Sequence, residues 1–223
     1  MVARAMKNFG LRELYLVAPE ADPQAEEARK FAVGARDVLD SARVVPTLEE
    51  ALAGVHWVAA TTARPREVYP GEPTTPREVA PRLRGYVAAG HEVALVFGRE
   101  RSGLTNEELA PAHFVVRIPT ASDFKSLNLA QAVLLFAYEL FLASPARTVP
   151  PAPAPVEQLE AFFRDLESYL REIGYANPAR LANVMRSFRR VLHRAALSEG
   201  ELAMFWGLLR QGRWAVERER SGR

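Results

Sequence analysis

The sequence predicts an α/β fold with a mostly parallel sheet, followed by a small all-α domain. Three observations carry this reading. Short apolar runs alternate with capped helical stretches from Glu13 to Ala143. Residues 144–155, SPARTVPPAPAP, then hold five prolines and little that can pack, as a semi-rigid extended linker does. Beyond that linker come three amphipathic helical patterns, over 156–173, 178–195 and 199–218. Strands alternating with helices imply a parallel sheet, because parallel neighbours must be joined by crossovers. The expected domains are therefore 1–143, the linker 144–155, and a helical domain over 156–223.

The elements follow in order. Residues 3–9 read as the end of a helix stopped by Gly10, and Glu13 to Val17 as a strand. Asp22-Pro23 opens a helix, an N-cap followed by proline at the first helical position. Val44-Val45 is a short strand. Thr47 with Glu50 makes a capping box for a helix ending at Gly54. Val55 to Thr61 read as a buried strand. Thr75-Pro76 with Glu78 starts a helix that ends near Gly90. Glu92 to Phe97 form a strand running into Gly98, and Thr105 with Glu108 caps a short helix. Phe114 to Ile118 form the next strand, and Ser126 to Ala143 a long apolar helix. In the tail, Gly174 closes the first helix, Asn177-Pro178 opens the second, and Ser198 with Glu201 caps the third. In such a sheet, ligands bind where strands end and loops begin, here after Thr61, Phe97 and Ile118.

Composition narrows the function classes. The 223 residues are 48% hydrophobic, enough for one sizeable core and a small second domain. The most apolar stretch, Leu127 to Leu142, is broken by Asn128, Gln131 and Glu139, short of the roughly 20 residues that span a bilayer. No secretory signal pattern opens the chain, which points to a cytoplasmic protein. The absence of cysteine removes disulfides, thiolate metal sites and thiol nucleophiles. His56, His91, His113 and His193 show no ligand spacing, so no metal is expected. Lysine occurs only at positions 7, 30 and 125, and the remaining 26 of the 29 basic residues are arginine. Arginine's planar fork suits phosphate and leans towards a nucleic-acid partner, although a GC-rich genome writes the same composition.

Three segments can carry chemistry. Val96-Phe97-Gly98-Arg99-Glu100-Arg101-Ser102-Gly103-Leu104-Thr105 sets two glycines around charged residues, after a strand and before a helix. Such a turn lets backbone approach a ligand closely, and its spacing also fits an ordinary strand–turn–helix connection. It matches neither the dinucleotide fingerprint nor a phosphate-binding lysine loop, which disfavours a nucleotide-dependent oxidoreductase. Ile118-Pro119 is followed by Ser126-Leu127-Asn128-Leu129-Ala130-Gln131-Ala132. There Ser126 reads most simply as a helix cap, while Asn128 lies just inside, where a cap explains less. Ala3-Arg4-Ala5-Met6-Lys7-Asn8-Phe9-Gly10 places one arginine on a helix.

Together these segments resemble the three motifs of the SpoU-type (SPOUT) methyltransferases, most closely the TrmJ-type tRNA enzymes. ARAMKNFG resembles motif 1, FGRERSGLTNEEL motif 2, and IP with SLNLAQAV motif 3. The resemblance covers nearly the whole chain, since that subfamily also carries a proline-linked helical tail. It implies a trefoil-knotted domain working as a homodimer, with S-adenosyl-L-methionine bent into the knot. It further implies 2′-O-methylation of the ribose of nucleotide 32 in the tRNA anticodon loop. On the matching positions the cofactor loops are Thr61-Thr62-Ala63, Gly98 with Glu100, Ile118, and Lys125-Ser126-Leu127. Arg4 matches the family's catalytic arginine, and Glu100, Ser126 and Asn128 match active-site positions. An arginine stays protonated in proteins, so Arg4 reads better as a clamp on an RNA phosphate than as a base. The 2′-OH proton would then leave to a phosphate oxygen or water. The same chemistry on ribosomal RNA, and a non-catalytic RNA-binding homologue, are the competing readings.

One departure stands out. Family members place a strand and an Asn-x-Gly turn before the motif 1 arginine, and this sequence begins Met1-Val2-Ala3-Arg4. A lost strand is expected to expose a sheet edge and to remove an active-site asparagine. In the tail, Arg180, Arg186, Arg189, Arg190 and Arg194 fall in one helix without an acid. Arg186, Arg190 and Arg194 share a face and are the expected RNA contacts, opposite Leu181, Val184, Phe188, Val191 and Leu192. The alternative is a solvated face balanced by Glu157, Glu160 and Glu172. Phe162, Tyr169, Phe205, Trp206 and Trp214 read as core or dimer contacts.

Overall fold

The computed structural model describes residues 1–63, 73–124 and 126–221. Its elements are α1 (Val2–Asn8), β1 (Tyr15–Val17), α2 (Glu26–Phe31), α3 (Arg36–Asp40), β2 (Arg43–Val45), α4 (Leu48–Ala51), β3 (Trp57–Thr61), α5 (Pro76–Ala88), β4 (Val93–Val96), α6 (Asn106–Leu109), β5 (Phe114–Val116) and α7 (Leu129–Leu142). The tail adds α8 (Val156–Glu172), α9 (Pro178–Ala195) and α10 (Glu199–Ser221).

All pairings between the described strands are parallel, but they form two sheets, β1-β2 and β4-β3-β5, rather than one. β3 is the centre of the larger sheet, with Val58, Ala59 and Ala60 wholly buried. Its side chains alternate between two cores, as the two-residue period of a strand requires. Val58 and Ala60 join Val96 and Val115 against Leu52, Leu104 and Leu109 on one face. Trp57 and Ala59 join Phe114 and Val116 against Val79, Leu83 and Tyr86 of α5 and Phe136 of α7 on the other. Trp57 stacks on Tyr86 with ring centroids 4.2 Å apart. A strand covered on both faces is uniformly apolar, which is why VHWVAAT reads as buried in the sequence.

A third core lies beside the sheet. Ala3, Ala5 and Met6 of α1 meet Val38 and Leu39 of α3 and Val133 of α7, with Phe97 and Leu129 at its margin. Phe9 lies 5.7 Å from both Tyr138 and Phe141, so α1 runs alongside α7. The fourth core is the tail's own, built from α8, α9 and α10 around Phe162, Phe163, Leu181, Met185 and Leu202.

Local chemistry sets the helix starts, sometimes away from the expected residue. Thr75 with Glu78 and Thr105 with Glu108 form reciprocal capping boxes. Asp22 does not cap a helix beginning at Pro23. Its Oδ1 accepts the Gln24 N–H at 2.8 Å and its carbonyl accepts the Ala25 N–H, closing a turn, and α2 starts only at Glu26. Ser126 does not cap α7 either. Asn128 does, accepting the Ala130 N–H at 2.9 Å while Gln131 accepts the Asn128 N–H at 3.3 Å.

The proline-rich stretch is fastened rather than loose. The Ala146 N–H donates to the Pro81 carbonyl at 2.8 Å and the Ala154 N–H to that of Leu197 at 2.6 Å. Gly85 permits this course across α5, because a Cβ there would stand 3.0 Å from the Ala146 oxygen and 3.2 Å from Val149 Cγ2. Val156 then enters the core beneath β3, and Glu157 accepts the Gly54 N–H at 2.8 Å. The helical tail is thereby docked on the α/β part.

Candidate active site

The C-terminal ends of β4, β3 and β5 lie side by side, and side-chain and main-chain bonds clip them together. Thr61 Oγ1 donates to the Val96 carbonyl of β4 at 3.2 Å. One residue on, the Thr62 N–H donates to the Val116 carbonyl of β5 at 2.9 Å. Thr61 and Thr62 are half-buried and Ala63 is exposed, so the first expected cofactor loop sits between the other two strand ends. The far edge of β5 is taken by Thr74, whose N–H donates to Val115 and whose carbonyl accepts the Arg117 N–H. Chain therefore lies on both sides of β5. Nothing in the sequence marked Thr74 except its place before the Thr75-Pro76 helix start.

The turn after β4 closes on itself. Arg99 and Gly103 form an antiparallel bridge, and the Gly103 N–H donates to the Arg99 carbonyl at 2.8 Å. Gly98 is packed against this bridge so tightly that a Cβ would fall 2.3 Å from the Gly103 carbonyl carbon and 2.4 Å from the Leu104 nitrogen. The backbone that Gly98 approaches is thus the loop's own, a requirement that spacing alone did not reveal. Gly103 adopts φ +68°, a conformation in which L side chains are strained. Arg99 donates to both oxygens of Glu108, at 2.9 and 3.2 Å, tying the loop to α6. That leaves Glu100, Arg101 and Ser102 exposed at its tip.

After β5, Ile118 is half-buried, and residues 117–124 and 126–128 belong to no helix or strand. Ser126 and Asn128 are exposed and Leu127 is half-buried, while Lys125 lies outside the described residues. Capping uses the Asn128 carbonyl oxygen and leaves the two N–H donors of its amide for other work. Arg4 is exposed between buried Ala3 and Ala5. Ala3, Ala5 and Met6 pack with Val133 of α7, and Arg4 lies on the exposed side of α1 between them. Lys7 holds α1 in place through Asp37 of α3 at 2.7 Å, which keeps that exposed carboxyl below its usual range. Phe97 links the parts, lying in the α1 cluster and 6.0 Å from Phe136.

The arrangement is a main-chain cradle. Three strand ends contribute backbone from adjacent loops, with the charged side chains of Glu100 and Arg101 exposed at the tip of one of them. Among the described residues no group of three or more histidine or acidic side chains is placed to hold a metal. No helix among them is long and apolar enough to cross a membrane.

The tail arginines stand apart from this cradle. Arg186 meets Asn183, and Arg189 is paired with Glu160 beneath the Phe163 ring. The buried stripe of α9 is Leu181, Met185, Leu192 and His193, whereas Phe188 and Val191 are 37% and 45% exposed. The apolar face is therefore rotated from the expected one, since Met185 and the Glu160-bonded His193 pack inward. Arg186 and Arg194 each follow a buried residue by one position and Arg190 lies between them on the same side, so the three flank the packed face instead of opposing it. Glu157 is bonded to Gly54, Glu160 to Arg189 and Glu172 to Arg213 and Arg220, so none of these acids pairs with Arg186 or Arg194.

Comparison with known proteins bears on both parts of the chain. The SpoU rRNA Methylase family model matches residues 1–138, and the model for the C-terminal domain of tRNA methyltransferase TrmJ matches residues 157–221. The tRNA (cytidine/uridine/adenosine-2′-O-)-methyltransferase TrmJ of Pseudomonas aeruginosa is 42% identical over 221 residues, covering 93% of this chain and 85% of the relative. The tRNA (cytidine/uridine-2′-O-)-methyltransferase TrmJ of Pectobacterium atrosepticum is also 42% identical, covering 93% and 88%. The crystal structure of TrmJ from Z. mobilis superimposes with a TM-score of 0.79 at 39% identity, covering 94% of this chain and 91% of that one. The chain therefore belongs to the SpoU methylase family and, by both of its parts, to the TrmJ group of methyltransferases within it.

Proposed function

We propose that this protein transfers a methyl group from S-adenosyl-L-methionine to a ribose 2′-hydroxyl of tRNA, at nucleotide 32 of the anticodon loop. The observation that carries this reading is the convergence of the loops after β3, β4 and β5, two of them motif segments, at one end of a parallel sheet. The relatives of similar length are named as tRNA 2′-O-methyltransferases. Nucleotide 32 rests on the resemblance of the motifs to the TrmJ-type enzymes.

The cradle fits the nucleoside of that cofactor. Main-chain groups of Thr61-Thr62-Ala63, Gly98, Ile118 and Leu127 recognise an adenine edge and ribose without charge, and Lys125 and Ser126 complete the third loop. When bound, the cofactor supplies an electrophilic methyl group on a sulfonium. Arg4 clamps the phosphate next to the target ribose and aims the 2′-oxygen, while Glu100, Ser126 and Asn128 orient the sugar. Most of the catalysis is then positioning, which can be worth several kcal/mol of the barrier. The proton leaves to the clamped phosphate or to water.

The chain works as a homodimer on this reading. Leu134, Leu135, Tyr138, Phe141 and Leu142 leave an apolar strip exposed along α7, beside α1 and its Arg4. A second copy covers such a strip and brings two active sites together. A trefoil knot is supported by the chain that flanks β5 on both edges. Residues 1–143 supply the chemistry, 144–155 the connection, and 156–223 a surface for RNA through Arg186, Arg190 and Arg194. A tRNA substrate places the activity in the cytoplasm. The test is transfer of labelled methyl to unmodified tRNA, with mapping of the product. Incorporation at the ribose of nucleotide 32 is expected, and no transfer by a folded protein that binds S-adenosylhomocysteine would overturn the reading.

A further inference from the structure

A groove of about 630 Å³ opens where the α/β part, the proline-rich stretch and the tail meet. Its floor is Trp57 and Phe114, the first residues of β3 and β5. Pro150 and Pro151 form one wall, while Arg82 of α5 and Arg194 of α9 supply the cations. It lies at the N-terminal ends of the strands, opposite the cradle. The extended chain from Phe114 to Ile118, β5 and the two residues after it, puts about 13 Å between the two.

The two arginines are held differently. Arg82 is exposed, with its guanidinium 4.6 Å from the centre of the Phe114 ring. Stacking on a ring fixes the plane of the fork and leaves its N–H edges for an anion. Arg194 is exposed at the last turn of α9, and among the described residues neither arginine has a carboxylate in ion-pair range. The acid in the groove, Glu201, is engaged by Ser198, whose Oγ and N–H donate to it at 2.7 and 2.8 Å. The groove thus sets an aromatic floor under two arginines that have no carboxylate partner among the described residues.

The groove also continues a charged track. Arg186, Arg190 and Arg194 repeat every four residues along α9, about 6 Å apart, and the row ends in the groove beside Arg82. A linear series of cations suits a polyanion, whereas a single small anion would use only its end.

We propose that this groove is a second RNA site, in which Arg82 and Arg194 clamp a phosphodiester of the tRNA body away from the nucleotide being methylated. The proposal rests on the tRNA methyltransferase reading and adds to it a contact that a short substrate cannot make. The experiment compares kcat/KM for full-length tRNA with that for an isolated anticodon stem-loop, in the wild type, Arg82→Ala, Arg194→Ala and the double Arg82→Glu/Arg194→Glu chain. The ratio of the two specificities is expected to fall at least tenfold in the double variant, through KM. The slope of log affinity for tRNA against log salt should flatten by about 0.8, the share of one lost phosphate contact. An unchanged ratio, or an equal fall on both substrates, overturns the proposal. Retained binding of S-adenosylhomocysteine excludes misfolding, and the alanine variants guard against charge-reversal artefacts by falling in the same direction. A wild type that methylates no tRNA would sink the activity itself, whereas an active wild type with indifferent groove variants would sink only the groove.

Discussion

His113 ties the pH dependence of stability to one buried ring. It precedes β5, is 9% exposed, and accepts the Val58 N–H on Nδ1 at 3.2 Å. Trp57 lies 5.1 Å from its ring, and His193 of the tail 5.8 Å away, near perpendicular. Burial first, and then the neighbouring His193, pushes its pKa from the ordinary 6.5 down to about 3. The folded protein therefore holds His113 neutral, while the unfolded chain takes up a proton below pH 6.5. Stability from this group is fully present above that pH and is lost as the pH falls towards 3. At pH 5 the loss is about 2 kcal/mol, from a slope of about 1.4 kcal/mol per pH unit. The perturbation is His113→Asn, which keeps an acceptor for Val58 and removes the titration. The variant should be less stable at every pH, having lost packed volume. The informative quantity is the difference in unfolding free energy between pH 7.5 and pH 5, from urea titrations. It should shrink by about 2 kcal/mol relative to the wild type. Parallel pH profiles for the two proteins would refute the argument, because the other histidines and the carboxylates are common to both.

The remaining predictions concern the active site and the tail. Arg4→Ala should abolish methyl transfer while S-adenosylhomocysteine binding, read by calorimetry, changes by less than a few-fold; loss of both would contradict the clamp. Gly98→Ala should open the motif 2 loop, because its Cβ has no room beside Gly103 and Leu104, and cofactor affinity should drop at least tenfold. Asn128→Ala should cost about 1 kcal/mol of stability through the lost cap, whereas Asn128→Asp should keep the cap and still lower kcat. Equal activity for Asp and Asn at that position would remove it from the catalytic set. Arg186→Glu with Arg190→Glu should weaken tRNA binding more at low salt than at high salt, and a salt-independent loss would point to misfolding instead.

Much of the architecture was legible because its signals are local. The capping pairs Thr75–Glu78, Thr105–Glu108 and Ser198–Glu201 each act within one turn, and the structure places helices behind all of them. The buried strand β3 shows itself as an unbroken apolar run, and the motif loops show themselves by resemblance. Errors arose where two local solutions compete. Asp22 can cap a helix or close a turn, and the turn prevails; Ser126 and Asn128 can each cap α7, and the Gln131 partner decides for Asn128. The buried face of α9 is not legible from hydrophobicity alone, because the bond to Glu160 makes His193 an inward residue.

The chain's order of strands and helices, its capped helix starts, and the residue types of three motif loops are properties of the sequence alone, because each depends on neighbours a few positions away. Tertiary structure decided the rest. It brought Thr61, Gly98 and Ile118 to adjacent strand ends, closed the Gly98 loop upon itself, fastened the proline-rich stretch across α5, and set Arg82 and Arg194 about one groove. Those pairings join residues far apart in the chain. Only the burial of apolar faces from several elements at once, which no local pattern encodes, selects them.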